Sequence, residues 1–377
     1  MTTLDDLFAQ QGQSPWLDNL RRDYLHNGHL AELVGQGIRG VTSNPTIFAK
    51  AIEGGREYDE QFSDLLATRS VEDAYWEMVT TDIRDALAVL RPVHDASGGE
   101  DGFVSIEVAP ALAHDTARTT QDARRFHEMI DRPNLFVKIP GTVEGLPAIR
   151  TMIGEGHSIN ITLLFSVERY DEVIDAYLGG LEDLAAASGG LGAVRSVASF
   201  FVSRVDTEVD RRLEALAADA GADSARAQEA IALRGSAAVA QARVAYELFR
   251  SRFAGPRWEA LAARGAALQR PLWASTSTKN PDYPDLAYVD TLIGPDSVNT
   301  MPDDTIAAFL DHGILARTVD ADAAGAHRTL ERLAEVGIDM ADVAKTLEDE
   351  GVASFSKSFD ELIQALSDKA NSLAGGH

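Results

Sequence analysis

The sequence contains no cysteine among its 377 residues. Disulfides, thiolate metal sites and thiol nucleophiles are therefore excluded, which is consistent with a reducing compartment. Basic residues are also scarce, since 34 Lys and Arg face 59 Asp and Glu, giving a formal net charge of −25. Such a charge repels nucleic acid and anionic membrane surfaces, so we expect neither as a partner. A phosphorylated ligand would need an anion site built locally from basic side chains and hydroxyls.

Long apolar runs are missing as well. No stretch approaches 18 uncharged apolar residues, and the first residues, MTTLDDLFAQQGQ, carry acids where a signal peptide would carry basic groups. The composition, 45% hydrophobic and 25% charged, is typical of a globular protein with an ample core. We therefore expect a cytoplasmic protein without membrane association.

The sequence does contain short β-branched or apolar runs that alternate with longer segments of helical period. Eight runs are predicted to be strands: PWLDNL, RGVTS, GFVSIEV, NLFVKI, HSINITLL, AVRSVASF, RPLWAS and LAYVDTL. Strand then helix, repeated eight times, predicts an α/β protein with a (β/α)8 TIM barrel, with a doubly wound parallel sheet as the alternative. We expect one domain over residues 1–377, with strands in about 15–302 and additional C-terminal helices in about 303–377.

Two short patterns are interpreted as structural. Gly35, Gly37 and Gly40 match a dinucleotide-binding spacing by letter, but they follow a helical stretch and lead into a strand, which reverses the required order. His26 and His29 flank an Asn-Gly turn without further metal ligands nearby. We therefore expect no nucleotide cofactor and no metal.

Polar side chains stand at the end of nearly every predicted strand, which is where a barrel carries its chemistry. Any single one would as often be a satisfied core or turn residue. Together they describe a ring of acids, amides, hydroxyls and one lysine facing one mouth. In chain order they are Asp18, Asn44, Glu107, Lys138, Asn160, Thr162, Ser199, Arg204 and Ser275.

Lys138 needs an explanation, because buried strands rarely keep an ammonium group unless it is paired or used. Apolar neighbours such as Leu135 and Phe136 disfavour its charged form. A neutral amine attacks a ketone to give a Schiff base, which is an electron sink for cleaving the adjacent carbon-carbon bond. The alternatives are a lysine that grips a phosphate and a structural ion pair with Glu107 or Asp18.

Schiff-base aldol chemistry also requires proton transfer at two places, and the two acids of the ring, Asp18 and Glu107, suit those roles. The remaining members suit a polyhydroxylated anionic substrate, with amides and hydroxyls for its hydroxyl groups (Asn44, Asn160, Thr162, Ser199) and a local anion site (Arg204, Ser275).

With these residues in place, the sequence resembles the transaldolase family in five segments that occur in the same order. They are 40-GVTSNPTI-47, 135-LFVKIPGTVEGL-146, 159-INITLLFS-166, 199-SFFVSRVD-206 and 273-WASTSTKNP-281. The resemblance runs from about Pro15 to Pro302, with a weaker echo in residues 350–366. The chain is similar to the longer form of the family that occurs in actinobacteria.

The resemblance implies a role for each site residue. The Schiff-base lysine falls on Lys138 of the fourth strand, and the acid/base for aldol cleavage falls on Asp18. The other implied roles are water activation (Glu107, Thr162), hydroxyl recognition (Asn44, Asn160, Ser199), a wall of the site (Phe201) and phosphate binding (Arg204, Ser275).

One position departs from the family pattern. Shorter transaldolases carry a phosphate-binding arginine where this chain has the neutral Ser277. Lys279, two residues further on, is a candidate to replace that charge.

The expected function is transfer of a dihydroxyacetone unit from sedoheptulose 7-phosphate to glyceraldehyde 3-phosphate in the pentose phosphate pathway. The alternatives are a related aldolase that releases free dihydroxyacetone and a catalytically silent barrel that binds sugar phosphates. Monomer and homodimer are both compatible with the sequence.

Overall fold

Eight parallel strands pair in chain order and close into a barrel, with the last strand hydrogen-bonded to the first. The computed structural model describes residues 3–221 and 224–374. The strands are β1 (Gln13–Leu17), β2 (Gly40–Val41), β3 (Phe103–Glu107), β4 (Leu135–Pro140), β5 (Ile159–Leu164), β6 (Ser196–Phe201), β7 (Gln269–Ala274) and β8 (Ser297–Met301). The predicted (β/α)8 barrel is confirmed, whereas its organisation as one domain over the whole chain stays a prediction.

Helices connect the strands and extend the chain beyond the last one. Within the described residues they are α1 (Leu4–Gln11), α2 (Arg22–His26), α3 (His29–Gly35), α4 (Pro45–Gly54), α5 (Asp59–Leu66), α6 (Val71–Ala96), α7 (Thr116–Ile130), α8 (Gly145–Gly154), α9 (Val167–Ala186), α10 (Ser203–Ala220), α11 (Ala225–Ala232), α12 (Ala237–Arg252), α13 (Pro256–Ala262), α14 (Asp303–His312), α15 (Ala323–Val336) and α16 (Met340–Ala374). The additional C-terminal helices predicted from the sequence are α14, α15 and α16.

The eighth strand was predicted in the wrong place. Residues 286–292, read as the strand LAYVDTL, form consecutive turns in which the amides of Val289 and Asp290 both donate to the carbonyl of Leu286. The strand is SVNTM, which pairs with β1 over its whole length. Three of its five residues, Ser297, Asn299 and Thr300, are polar although buried, so the hydrophobic pattern that marks a strand is weak there.

The amino-terminal end of the barrel is closed by a network centred on the buried carboxylate of Asp101. It accepts hydrogen bonds from Ser14 Oγ at 2.6 Å and Arg39 Nε at 2.8 Å, and one from Arg270 Nη2 at 3.0 Å. A buried charge is stable when it is paired and hydrogen-bonded in this way. This end therefore serves stability, and the opposite end is free to carry the chemistry.

Helix α16 crosses the mouth of the barrel rather than packing beneath it. Ser354 and Phe355 line the cavity at the carboxyl ends of the strands, and Thr46 Oγ1 donates to Ser358 Oγ at 2.9 Å. A Cβ on Gly351 would lie 2.9 Å from Leu163 Cδ2, so glycine allows the helix to approach β5 closely. The C-terminal extension thus forms part of the wall of the mouth.

Candidate active site

A cavity of about 580 Å³ opens at the carboxyl ends of the strands. Because the strands are parallel, the side chains that follow their ends converge there. Eight of the ten predicted site residues line it: Asp18, Asn44, Lys138, Thr162, Ser199, Phe201, Arg204 and Ser275. The other two, Glu107 and Asn160, are buried and contact members of this set.

Lys138 forms an ion pair with Glu107 in the wall of the cavity. The two residues are register partners on β4 and β3, and Lys138 Nζ lies 2.9 Å from Glu107 Oε2. The ammonium also donates to the carbonyl oxygen of Ser43 at 2.9 Å. The side chains are only 6% and 3% exposed, so a proton can pass between them with little competition from water. The ion pair considered as an alternative from the sequence is therefore present, and it also provides a proton acceptor for the amine.

The two acids of the site have environments that favour proton exchange. Burial raises the pKa of Glu107, although the neighbouring Lys138 ammonium acts in the opposite direction. Burial also raises the pKa of Asp18, against a hydrogen bond from Thr42 Oγ1 at 2.7 Å and the charge of Lys138. Carboxyl groups with raised pKa values exchange protons near neutral pH more readily than ordinary ones.

Asn160 is not among the residues that line the cavity, and its contact with substrate stays a prediction. Its Oδ1 accepts a hydrogen bond from Ser199 Oγ at 2.7 Å, and its Nδ2 donates to Ser105 Oγ at 3.1 Å. Both ends of the amide are thereby engaged within the barrel. The hydrogen bond from Ser199 Oγ links Asn160 to a residue that lines the cavity.

Thr162 stands at an irregular point of β5. The register between β5 and β6 shifts between Ile161 and Leu164, and Leu163 adopts a φ of +58°. A bulge of this kind redirects the adjacent side chains. Thr162 Oγ1 is buried and makes no hydrogen bond to the residues that the structure describes, so it is free to bind a reacting group or a water.

Asn44 caps the amino terminus of α4. Its Oδ1 accepts from the backbone N–H of Ile47 at 2.9 Å, and this bond holds the amide group at the rim of the cavity. The sequence Asn-Pro provides both features of the helix start, a capping side chain and proline in the first turn.

One side of the cavity is basic and rich in hydroxyls. The Arg204 guanidinium lies between two aromatic rings, 5.4 Å from the centroid of Phe201 and 5.8 Å from that of Phe355. Ser275 Oγ is 2.9 Å from Ser203 Oγ, and its backbone φ is +56°. Ser277 and Lys279 line the same cavity, with the lysine donating to the serine hydroxyl at 2.5 Å.

Several lining residues were not predicted from the sequence. Thr42 lies in the GVTS run, two residues before Asn44, where the strand-end argument would have included it. Phe355 lies in residues 350–366, the segment of weaker resemblance. Its position in the mouth became evident only from the fold. The additional cationic and hydroxyl residues at the rim are Arg21, Lys50 and Ser354.

Over residues 3–221 and 224–374, no group of three or more potential metal ligands is placed to hold an ion. Within the same ranges, no helix has the length and apolar character needed to cross a membrane.

Comparison with known proteins shows the family. Residues 15–366 match the family model described as "Transaldolase/Fructose-6-phosphate aldolase". The chain is 50% identical over 375 residues to a transaldolase of Parafrankia sp. (strain EAN1pec), with 98% of this chain and 99% of the relative covered. It is 52% identical over 360 residues to a transaldolase of Thermobifida fusca, covering 94% and 95% of the two chains. A transaldolase of Mycolicibacterium smegmatis is 50% identical over 357 residues, covering 94% of each chain. The chain therefore belongs to the transaldolase/fructose-6-phosphate aldolase family.

Proposed function

We propose that the protein acts as a transaldolase that moves a dihydroxyacetone unit from sedoheptulose 7-phosphate to glyceraldehyde 3-phosphate through a Schiff base on Lys138. The products would be erythrose 4-phosphate and fructose 6-phosphate. The observation that carries this proposal is the buried pair of Lys138 Nζ and Glu107 Oε2, 2.9 Å apart in the wall of the mouth. A phosphate-binding lysine would need no carboxylate at that distance.

The first step is formation of the imine. Glu107 accepts a proton from Lys138, and the neutral amine attacks the C2 carbonyl of the donor. The carbinolamine then loses water, for which its hydroxyl must be protonated. Glu107 and Thr162 suit this transfer, because Glu107 can return the proton and Thr162 has an uncommitted hydroxyl beside β4.

The second step is cleavage of the carbon-carbon bond. Asp18 removes the proton from the C4 hydroxyl, the C3–C4 bond breaks, and its electron pair moves onto the protonated imine to give an enamine. Erythrose 4-phosphate leaves as an aldehyde. The raised pKa of Asp18 suits it to take up this proton and later to return it to the new hydroxyl.

Transfer reverses these events on the acceptor. The enamine carbon attacks the aldehyde of glyceraldehyde 3-phosphate, and Asp18 protonates the developing alkoxide. Water then adds to the imine carbon, and its collapse frees fructose 6-phosphate and the Lys138 amine. In this proposal Asn44, Asn160 and Ser199 hold hydroxyl groups of the dihydroxyacetone unit, which the hydrogen bond between Ser199 and Asn160 supports.

The phosphate group is proposed to bind on the basic side of the cavity. Arg204 and Ser275 are the primary contacts, and Lys279 provides the cation that Ser277 lacks. This arrangement supplies the local anion site that a chain of net charge −25 needs for a phosphorylated substrate. We further propose that the enzyme works in the cytoplasm, as a monomer or homodimer, without a metal or organic cofactor.

The test is borohydride trapping with fructose 6-phosphate, followed by intact and peptide mass spectrometry. A reduced adduct is expected on Lys138 in the native enzyme. Lys50→Met is the matched control because Lys50 lines the same cavity, and it should retain the adduct that Lys138→Met loses. If fructose 6-phosphate binds but no reduced adduct forms, Lys138 has a binding or structural role instead.

A second assay separates the transferase from the aldolase alternative. The active enzyme, without borohydride, is incubated with fructose 6-phosphate and erythrose 4-phosphate. The amounts of sedoheptulose 7-phosphate and of free dihydroxyacetone are then measured. A transaldolase forms the seven-carbon product in large excess. Mainly free dihydroxyacetone would assign the hydrolytic aldolase.

A further inference from the structure

A second cavity, of about 530 Å³, lies between α12 and α15 in the outer layer of helices. Its lining carries three arginines, Arg243 from α12 and Arg328 and Arg332 from α15. The lining also includes Asp322, the residue that precedes α15. Three guanidinium groups in one cavity are unexpected in a chain of net charge −25.

Arg243 has no anionic partner among the residues that the structure describes. Its Nε is buried without a hydrogen bond, and its hydrogen bond from Nη2 to the carbonyl of Thr291 is long, at 3.4 Å. Arg252 on the same helix, in contrast, forms ion pairs with Asp171 and Asp175. A partly buried charge without a counter-ion is costly, so the environment of Arg243 favours an anion from outside the chain.

The two arginines of α15 lie one turn apart on the side of the helix that faces the cavity. Arg332 binds Glu229 Oε1 through its Nε and Nη2 atoms. Its Nη1 atom takes no part in this ion pair. Arg328 is 3.9 Å from Asp322, whose Oδ1 already accepts a hydrogen bond from Gly325 N. Like charges at this spacing repel each other, and a bound anion would relieve the repulsion.

We propose that this cavity is a binding site for a small phosphate-bearing anion, separate from the site at the barrel mouth. The planar guanidinium fork matches the geometry of phosphate oxygens, and three such groups would share the charge of a pyrophosphate-like moiety. The volume is in the range of about 300–1,000 Å³ that small-molecule sites occupy. The acidic surface elsewhere repels extended polyanions, so the ligand is a metabolite rather than a nucleic acid.

The experiment titrates pyrophosphate into the full-length protein by calorimetry at constant ionic strength. The Arg204→Gln background removes one of the proposed phosphate contacts at the barrel mouth and leaves the outer cavity unchanged. In that background, the tightest binding of pyrophosphate is expected in the outer cavity. Adding Arg243→Gln should weaken this binding about tenfold or more, the typical effect of losing a charge-assisted hydrogen bond.

Arg252→Gln is the matched control, because it lies on the same helix and changes the net charge equally. Its affinity for pyrophosphate should equal that of the background, and Arg328→Gln should weaken binding as Arg243→Gln does. Equal affinities for the Arg243→Gln and Arg252→Gln proteins, or no binding in the Arg204→Gln background, would overturn the proposal. A nucleoside triphosphate and a sugar bisphosphate, titrated in the same way, distinguish the two natural sources of such a group.

Discussion

Lys138 and Glu107 form a buried ion pair, to which we have assigned a proposed role in the chemistry. Breaking a buried pair by removing one partner is strongly destabilising, because the remaining charge stays buried. Proton transfer within the pair instead leaves both partners neutral. The low exposure of both side chains separates this proton transfer from bulk water.

Asp18 can be separated from the nucleophile by mutation. Asp18→Asn removes the proton acceptor for carbon-carbon cleavage and leaves Lys138 and Glu107 unchanged. The borohydride adduct should still form, while kcat falls roughly 10²- to 10⁴-fold, the usual range for loss of a general base. Asp303→Asn is the control, because Asp303 lines the same cavity and is hydrogen-bonded by Asn19 and Tyr24. Rapid turnover by the Asp18→Asn enzyme would reject the assigned role.

Lys279 should contribute to substrate binding more than to the chemical step. Lys279→Ala is expected to raise KM for fructose 6-phosphate about tenfold with a small change in kcat, because a charge-assisted contact to phosphate is lost in both ground and transition states. Lys50→Ala removes the same charge from the same cavity and is the control. An unchanged KM in the Lys279→Ala enzyme would leave Arg204 and the serines as the phosphate site.

The sequence predicted which residues gather at one end of the barrel, but it could not predict which of them line the cavity. Asn160 pairs with Val197 of β6, so Ser199 lies two residues nearer the carboxyl ends of the strands, and only Ser199 lines the cavity. No hydrophobic pattern records this register or the bulge beyond Ile161. The same bulge determines the position of the Thr162 hydroxyl.

At the scale of elements, the segment after β7 is fastened to α10 by two tyrosines. Tyr283 donates to Asp210 Oδ2 at 2.5 Å, and Tyr288 donates to Asp206 Oδ2 at 2.8 Å. The segment carries Lys279, and Arg204 lies in the first turn of α10. These hydrogen bonds thus join the two elements that form the proposed phosphate site.

Loss of one of these bonds should affect phosphorylated substrates selectively. Tyr283→Phe leaves Asp210 Oδ2 without its donor, at a cost of about 1–3 kcal/mol, and loosens the segment. KM for glyceraldehyde 3-phosphate should rise several-fold, with little change for unphosphorylated glyceraldehyde. Tyr177→Phe is the control, since its hydroxyl donates to the carbonyl of Ala267 away from the mouth. Equal effects on both acceptors would indicate a general loss of stability instead.

The same segment shows why one element was misassigned from the sequence. Residues 286–292 are apolar and β-branched enough to suggest a strand, and Leu286, Val289 and Leu292 are indeed buried. With the buried Tyr288, they do not follow the alternate burial of a half-buried strand, which fits the turns that the segment forms. Strands such as β4 (LFVKIP) were recognised because apolar residues dominate them, as expected for a parallel sheet covered by helices.

At the scale of the whole molecule, the distribution of charge matters more than its sum. The chain carries a net charge of −25, but the mouth contains Arg21, Lys50, Lys138, Arg204 and Lys279. The sequence predicted the need for a local anion site, because acidic residues dominate overall. It could not locate all of these cations, since Arg21 and Lys50 reach the mouth through loop and helix positions that depend on the closed barrel.

Stability as a function of pH is also a property of the whole molecule, and a histidine pair contributes to it. His127 on α7 stacks on His157 with a centroid separation of 4.3 Å. Burial, followed by the charge of His157, lowers the pKa of His127 from 6.5 to about 3. Its Nε2 is buried without a hydrogen bond to any described residue, which agrees with an imidazole that remains neutral in the folded protein.

The sign of the resulting pH dependence follows from proton linkage. Well above pH 6.5, His127 is neutral in both the folded and the unfolded protein. As the pH falls from 6.5 towards 3, His127 gains a proton only in the unfolded protein, so folding stability is lost. Relative to His127→Gln, the native protein should lose about 2 kcal/mol of unfolding free energy between pH 7 and pH 5, as measured by urea denaturation. Asp206, whose pKa is raised to about 6, changes stability in the opposite direction but is common to both proteins and cancels. His26 is exposed, so the His26→Gln protein serves as the control and should show the same pH dependence of unfolding free energy as the native protein. If the His127→Gln and His26→Gln proteins show the same pH dependence, the histidine pair is not its cause.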